Sequence, residues 1–351
     1  MRCLSVDKRA YVVLLNWRGW QDTIACLETM FASEGVPMCA VVCDNASGDG
    51  SLDHIAAWAE GTLASVIPSE PRLAGLFGKQ TKRPQTVRID RKQSLSTSVS
   101  ASTDLVLVDN GANLGFAAGN NVGLRLALAQ PDMDCVWLLN NDTLVEPDCL
   151  LRMRNRLARE QDRAVCGSVI HFFDQPDIIQ AVGGNRFNAY TGVAACSEGR
   201  FLPEGELPST DFTVKKLDYL SGCSMLIPRA ALEQVGLLGE HYFLYYEEID
   251  WFTRNANRFP MVIAEGARLY HREGSSIGSS GWQRSASAFA DGHMYRSRLI
   301  FMRKHYPLRL PFCYLVAALQ LVRKLFHGEY ANVRTVLAVI VGAAKLKAPV
   351  S

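Results

Sequence analysis

The chain has 351 residues, 48% of them hydrophobic and 21% charged, a globular composition that excludes disordered, collagen-like and disulfide-stapled classes. The formal charge is only +2, from 37 Lys+Arg against 35 Asp+Glu, which excludes a strongly basic nucleic-acid binder. The length accommodates one large domain or two smaller ones.

The N-terminal MRCLSVDKRA lacks the apolar stretch of a signal peptide. Residues 11–15 (YVVLL) form a short apolar run that predicts a buried strand. Residues 22–31 then carry Ile24, Leu27, Met30 and Phe31 at helical spacing. Residues 39–43 (CAVVC) predict a second strand, ending in the turn-rich DNASGDGS, and a helix follows over 52–58. Residues 69–103 break this rhythm. They are rich in Ser and Thr and carry seven Lys/Arg against Glu70 and Asp90, which predicts a solvated, flexible basic insertion. Residues 105–108 (LVLV) predict a third strand, followed by the Gly-rich GANLGFAAGNN and a helix through Ala129. Residues 135–139 (CVWLL) predict a fourth, followed by NNDT and a helix from Pro147. A fifth is expected at 165–170 and a further one at 261–264. Repeated βα units predict an α/β fold with a mostly parallel sheet flanked by helices.

The C-terminal part differs. Residues 292–351 hold ten Lys/Arg and one acid, Glu329, a charge of +9, whereas the rest has 27 basic and 34 acidic residues, or −7. Its apolar runs, 310–319 and 336–344, fall short of the roughly 18 residues that span a bilayer. Basic and apolar character in one tail predicts docking on an anionic membrane surface; two core helices, or a re-entrant or spanning element, are the alternatives. The expected division is therefore an α/β domain over 1–285 and a helical extension over 286–351. The ten cysteines form no CxxC pair, and Cys26, Cys43, Cys135 and Cys166 sit inside apolar runs. That pattern suits buried thiols in a reducing, cytoplasmic compartment.

Ligands of open α/β sheets collect beyond the carboxyl ends of the strands. Asn16-Trp17 follows the first strand here, Asp44-Asn45 the second, Asp109-Asn110 and then Asn113-Leu114-Gly115 the third, and Asn140-Asn141-Asp142 the fourth. Each could be a turn or a cap alone; four together point to a binding edge. There is no GxGxxG after the first strand and no GxxxxGK[ST] anywhere, which removes the main support for dinucleotide oxidoreductases and P-loop NTPases. A nucleotide diphosphate held beside Asp142 calls for a hard divalent cation. Farther on, FLYYEEIDWFTR places Glu247, Glu248 and Asp250 in aromatic surroundings. Burying carboxylates there is costly unless they are paired or used as a base. Acids favouring a helix N-terminus are the plainer alternative. His271 follows an apolar run and precedes a Gly/Ser-rich loop.

These segments resemble the inverting glycosyltransferases of family 2, with the GT-A fold, and most closely their rhamnosyltransferase-like members. VVLLNWRGWQDTIACLETM, VVCDNASGDGS, NLGFAAGNNVGL, VWLLNNDTLVEPDCL, YLSGCSMLIPRAAL, FLYYEEIDWFTR and HREGSSIG occur in the family's order. The resemblance implies that Leu15, Asn16 and Trp17 lie beside the nucleobase and that Asp44, supported by Asn45, bonds the base or ribose. Asn113 and Gly115 would line the nucleotide and sugar pocket. Asn140-Asn141-Asp142 stands at the DxD position, with Asn140 touching ribose or diphosphate. Asp142 would ligate Mn2+ or Mg2+ and His271 complete that metal site. Glu248 matches the catalytic base, with Glu247 or Asp250 as alternatives because Glu replaces the usual Asp. The implied donor is a nucleotide-sugar, dTDP-rhamnose or a UDP-sugar, and the implied acceptor a polyprenyl-linked or other cell-envelope glycan. A sugar-nucleotide nucleotidyltransferase and a non-catalytic nucleotide-sugar-binding scaffold of the same fold are the rival readings. The family reading requires residues 142, 248 and 271 to meet at one mouth of the sheet.

Overall fold

A computed structural model describes residues 8–33, 35–78, 83–196, 198–207, 209–272, 286–342 and 346, without the Phe212 side chain. The first half alternates strands and helices: β1 (Arg9–Asn16), α1 (Trp20–Phe31), β2 (Met38–Asp44), α2 (Ser51–Glu60), α3 (Pro71–Ala74), β3 (Thr86–Asp90), β4 (Leu105–Asp109) and α4 (Gly115–Ala129). Next come β5 (Met133–Leu139), β6 (Thr143–Val145), α5 (Cys149–Arg159), β7 (Val165–Phe172), β8 (Ile179–Val182), β9 (Gly184–Asn188) and β10 (Val193–Cys196). They are followed by α6 (Thr210–Val214), β11 (Tyr219–Leu220), β12 (Ser224–Pro228), α7 (Arg229–Val235), α8 (Glu247–Asn255) and β13 (Met261–His271). Three helices close the chain: α9 (Ala288–His305), α10 (Leu310–Phe326) and α11 (Tyr330–Ile340).

Nine strands of the main sheet run in the order β3-β4-β2-β1-β5-β12-β7-β13-β6, with β8 beside β7. Pairing is parallel from β3 through β5, and again between β7 and β13. Strand β12 is antiparallel to both β5 and β7, and β6 to β13, so the sheet is mixed and mostly parallel, in line with the repeated βα units. β12 is reached from β11 through the short loop 221–223 with no crossover helix between them, and α7 follows it directly. A small sheet, β10-β9-β11, lies apart.

The apolar strand runs are explained by burial on both faces. In β1, Tyr11 and Val13 join one core with β2, α4 and α8, while Ala10, Val12 and Leu14 join the other with α1, α2 and α5. The stretch 69–103 is partly regular. Its β3 pairs in register with β4 and extends the sheet, because Ile89 buries itself while its neighbours face water. The loop expected after His271 falls on 273–285, outside the described residues, as do Lys79 and Lys82.

The closing helices divide. Leu299, Phe301 and Met302 of α9 and Cys313 of α10 enter the main core. The inner faces of α10 and α11 form a small satellite core of Tyr295, Ala317, Leu321, Val333 and Val336. Among the described residues no helix is long and apolar enough to cross a membrane.

Candidate active site

Strand register aligns the polar strand ends. Asn16 stands opposite Asp44, and Asp44 opposite Asp109, so three carboxyl ends form one row at one edge of the sheet. Strands β5 and β13 end on the same side, bringing Asn140 and His271 to that edge. A cavity of about 450 Å³ opens there, within the roughly 300–1,000 Å³ usual for ligand pockets. Its lining includes Leu15, Trp17, Asn113, Gly115, Asn140, Asn141, Asp142, Glu247, Glu248 and His271.

Three residues expected to touch a nucleotide do not line it. Asn16, Asp44 and Asn45 are buried, and their polar groups satisfy one another and the neighbouring loops. Asp44 Oδ1 accepts from Asn16 Nδ2 at 2.6 Å and from the Ser47 hydroxyl at 2.6 Å. Asn45 Nδ2 donates to Gly115 O at 3.0 Å, and its Oδ1 accepts from Asn110 at 2.9 Å. Asn141 lines the cavity yet also ties β5 to α1, donating to Thr23 Oγ1 at 2.8 Å. The reason is geometric: amides at adjacent strand ends are close enough to bond each other, and a buried polar group is costly without a partner. This network fixes the loops that carry Leu15, Trp17, Asn113 and Gly115.

At the β5 end, His271 Nε2 lies 3.2 Å from Asp142 Oδ1 and 3.3 Å from Asn140 Nδ2. The other ring nitrogen, Nδ1, is 3.0 Å from Gln180 Oε1. An amide oxygen only accepts, so Nδ1 carries a proton and Gln180 sets the tautomer. In the neutral ring this leaves the Nε2 lone pair facing the Asp142 carboxylate. Burial opposes the charged imidazole, but Cys223 and Asp142 pull its pKa well above the usual value. A site that attracts a proton this strongly between a carboxylate oxygen and an imidazole nitrogen fits a divalent cation. Among the described residues no group of three or more His, Cys, Asp or Glu could hold a metal ion. Asp142 and His271 would thus be two protein ligands, and an incoming diphosphate would supply further oxygens.

The opposite wall is α8. Tyr245 and Tyr246 precede it in left-handed backbone, φ +67° and +73°, costly for non-glycine residues. Tyr246 is held there by packing on Phe187 and Phe301 and by bonds with Arg298 and the Gly192 carbonyl. The turn delivers Glu247 and Glu248 to the cavity at the first two positions of the helix. Burial raises the pKa of both, and the adjacent Glu248 charge raises Glu247 further. Glu248 Oε1 accepts from the Gly222 N–H at 3.1 Å, which favours its ionised form. Glu247 Oε2 has no hydrogen-bond partner among the described residues. Of the two, Glu247 is pushed further toward its protonated form, by burial and by the neighbouring Glu248 charge.

Asp250, weighed as an alternative base, is not in the cavity. It is fully buried and bonded to Arg254, Lys304 and His305, each at 2.7 Å. Burial would raise its pKa, but hydrogen bonds from Lys304, His305 and Arg254 hold it at about 2. A carboxylate this acidic and this saturated is a poor proton acceptor. Sequence reasoning missed Gln180, Gly222 and the aromatic wall of Phe243 and Phe289. Gly222 lies in a segment that carried the resemblance, YLSGCSM; Gln180 had no local signal.

With this geometry, residues 93–236 match the family model described as glycosyl transferase family 2. That stretch of the chain is thus similar to family 2 glycosyltransferases. The low-salt glycan biosynthesis hexosyltransferase Agl10 of Haloferax volcanii is 26% identical over 193 residues, covering 53% of this chain and 58% of the relative. The alignment thus spans less than two-thirds of that protein. Among solved structures, GalNAc-T7 with UDP, GalNAc and Mn2+ aligns at a TM-score of 0.50 and 12% identity, over 83% of this chain and 47% of that one. A mannosyltransferase from Pyrobaculum calidifontis with GDP-Man and Mn2+ aligns at 0.49 and 12%, over 97% and 88%. At such identity the likeness to GalNAc-T7 speaks to fold alone, and the mostly parallel sheet flanked by helices here has the GT-A architecture.

Proposed function

We propose that the chain transfers a hexose from a nucleotide-diphosphate donor to a hydroxyl of a lipid-linked or polysaccharide acceptor, with inversion. The observation that carries this reading is one cavity with two unlike ends: Asp142 and His271 at the strand edge, and Glu247 and Glu248 on α8. The hexosyltransferase relative supports sugar transfer, and the UDP and Mn2+ of GalNAc-T7 agree with a nucleotide-sugar and a cation here. Rhamnose remains the first donor to try, on the sequence resemblance.

Leu15, Trp17 and Asn113 bind the nucleotide against the strand ends. Asp142 and His271 would hold Mn2+ or Mg2+, which would supply positive charge to offset the diphosphate leaving group. Glu248 removes the acceptor proton as its oxygen attacks the anomeric carbon from the face opposite the leaving group. Glu247 stays protonated and keeps the charge of the pair on Glu248. The acceptor would be met at the cytoplasmic face of a membrane; the basic tail and the nine free thiols among the described residues support that address.

The test is a panel of nucleotide-sugars, dTDP-rhamnose first and UDP- and GDP-sugars next, scored by thermal stabilisation with Mn2+ or Mg2+ and then by product formation. Glu248→Gln should lower transfer by about 10²–10⁴-fold with donor binding retained. Near-normal turnover in that variant rejects the base assignment. Asp142→Ala should remove the metal-dependent part of nucleotide binding in calorimetry; unchanged heats reject the metal site.

A further inference from the structure

The outer face of α10 is an apolar stripe. Phe312, Leu315, Leu319, Val322 and Phe326 recur at i, i+3, i+7, i+10 and i+14, each about half exposed or more, and Phe326 is 87% exposed. Leu308, 92% exposed, extends the stripe past the helix start. Such a face is ordinarily buried, and the opposite face of α10 is already used, by Cys313 in the main core and by Ala317 and Leu321 in the satellite core.

The charges around the stripe are of one sign. Residues 286–342 contain eight Lys/Arg and two acids, Asp291 and Glu329. Both acids are engaged inward by Lys324, at 2.6 and 2.8 Å. Exposed Arg296, Arg323 and Arg334 make no ion pair among the described residues. A second copy of the chain docked on the stripe would set this surface against itself and bring like charges together. An anionic bilayer complements both the apolar face and the positive rim.

We propose that the exposed face of α10 is the membrane-docking surface of this protein, seated in the headgroup region of an anionic bilayer with its arginines on lipid phosphates. The placement of the cavity agrees. Its wall includes Phe289, Ala290, Asp291 and Met294 of α9, and Asp291 is bonded to Lys324 of α10 and to Asn332 of α11 at 2.5 Å. Docking α10 therefore fixes the height of the cavity wall above the lipid. The inference rests on the proposed transfer reaction only for the identity of what enters along that wall; the docking itself is independent of it.

The experiment is co-sedimentation of the full chain with vesicles of phosphatidylcholine alone or mixed with phosphatidylglycerol. The mixed vesicles should bind at least roughly tenfold more tightly, and rising salt should weaken that binding. Leu315→Glu combined with Leu319→Glu should lose about tenfold or more on the mixed vesicles, with an unchanged melting temperature. Arg323→Glu combined with Arg334→Glu, which leaves the stripe intact, should lose a comparable factor. Equal binding to both vesicle types, or full binding by the stripe variant, overturns the proposal. So does a concentration-dependent dimer of the parent chain that the stripe variant converts to monomer. Thermal stabilisation by UDP and Mn2+, measured on the same samples, tests the transfer reading and moves independently of sedimentation.

Discussion

Two carboxylate sites on helix α8 lie within four residues of each other and behave in opposite ways. Asp250 faces Arg254, Lys304 and His305 and stays strongly acidic. Glu247 and Glu248 face the cavity with no cationic partner among the described residues, Gly222 N–H donates to Glu248 alone, and both have raised pKa values. Glu247 is buried as Asp250 is, with Glu248 half-buried beside it, so burial alone does not separate the sites. The number of cationic partners does: the saturated carboxylate holds two parts of the molecule together, and the starved pair is available for chemistry.

The largest effect should come from breaking the saturated site. Asp250→Ala leaves Arg254, Lys304 and His305 facing a buried space with no counter-charge, and unfastens α9 from α8. A loss of about 3 kcal/mol is expected, read as a fall in chemical-denaturation midpoint. Its pH dependence has a definite sign. The folded pKa of about 2 lies below the unfolded carboxylate value, so the contribution is full above the unfolded value and disappears as pH falls toward the folded one. The parent should lose stability through that acid window, and Asp250→Ala should show a flatter profile there. Equal slopes would mean that Asp250 is not what joins the two elements.

The starved site should respond in rate before stability. A Cβ at Gly222 would stand 2.1 Å from Glu248 Oε1, so Gly222→Ala must displace the carboxylate that this loop orients. A misplacement of about 1 Å costs on the order of 10²-fold in kcat, with donor affinity nearly unchanged; normal kcat would show that the Gly222 contact does not set the position of Glu248. At the other end of the cavity, Gln180→Leu removes the acceptor for His271 Nδ1. Loss of such a partner lowers metal affinity about 10–100-fold, measured by Mn2+ titration with nucleotide present, and Gln180→Glu should restore it.

How far this contrast is legible in the sequence depends on the range of the interactions. The strand-end residues Asn16, Asp44, Asp109 and Asn140 are readable because each follows a short apolar run, and register then aligns Asn16, Asp44 and Asp109 without further information. The pairing of Asp142 with His271 came through the resemblance alone, since 128 positions intervene and only β13 lying beside β6 brings them together. Gln180 had no signal because its role is to orient a ring on another strand. Asp250 was indistinguishable from its neighbours, because its partners Lys304 and His305 lie on α9, more than 50 positions away. The antiparallel insertion of β12 escaped the βα pattern for a similar reason: strand direction follows from the connection, and SMLIP reads the same either way.

Glu247→Gln sharpens the comparison with the smallest effect and the most specific sign. In the parent, burial and the charge on Glu248 raise the Glu247 pKa, so the folded protein holds on to a proton at pH values where the unfolded chain has already released it. Stability must therefore fall as pH rises above the unfolded carboxylate value, opposite to the Asp250 contribution. Glutamine mimics the protonated acid and has no such proton to lose. Glu247→Gln should be more stable than the parent at neutral pH, by about 1 kcal/mol, and the two should converge in acid. If transfer is also retained, Glu247 serves to keep the negative charge on Glu248. If stability at neutral pH is unchanged, Glu247 is ionised in the folded protein and the assignment of the single proton within the pair is wrong.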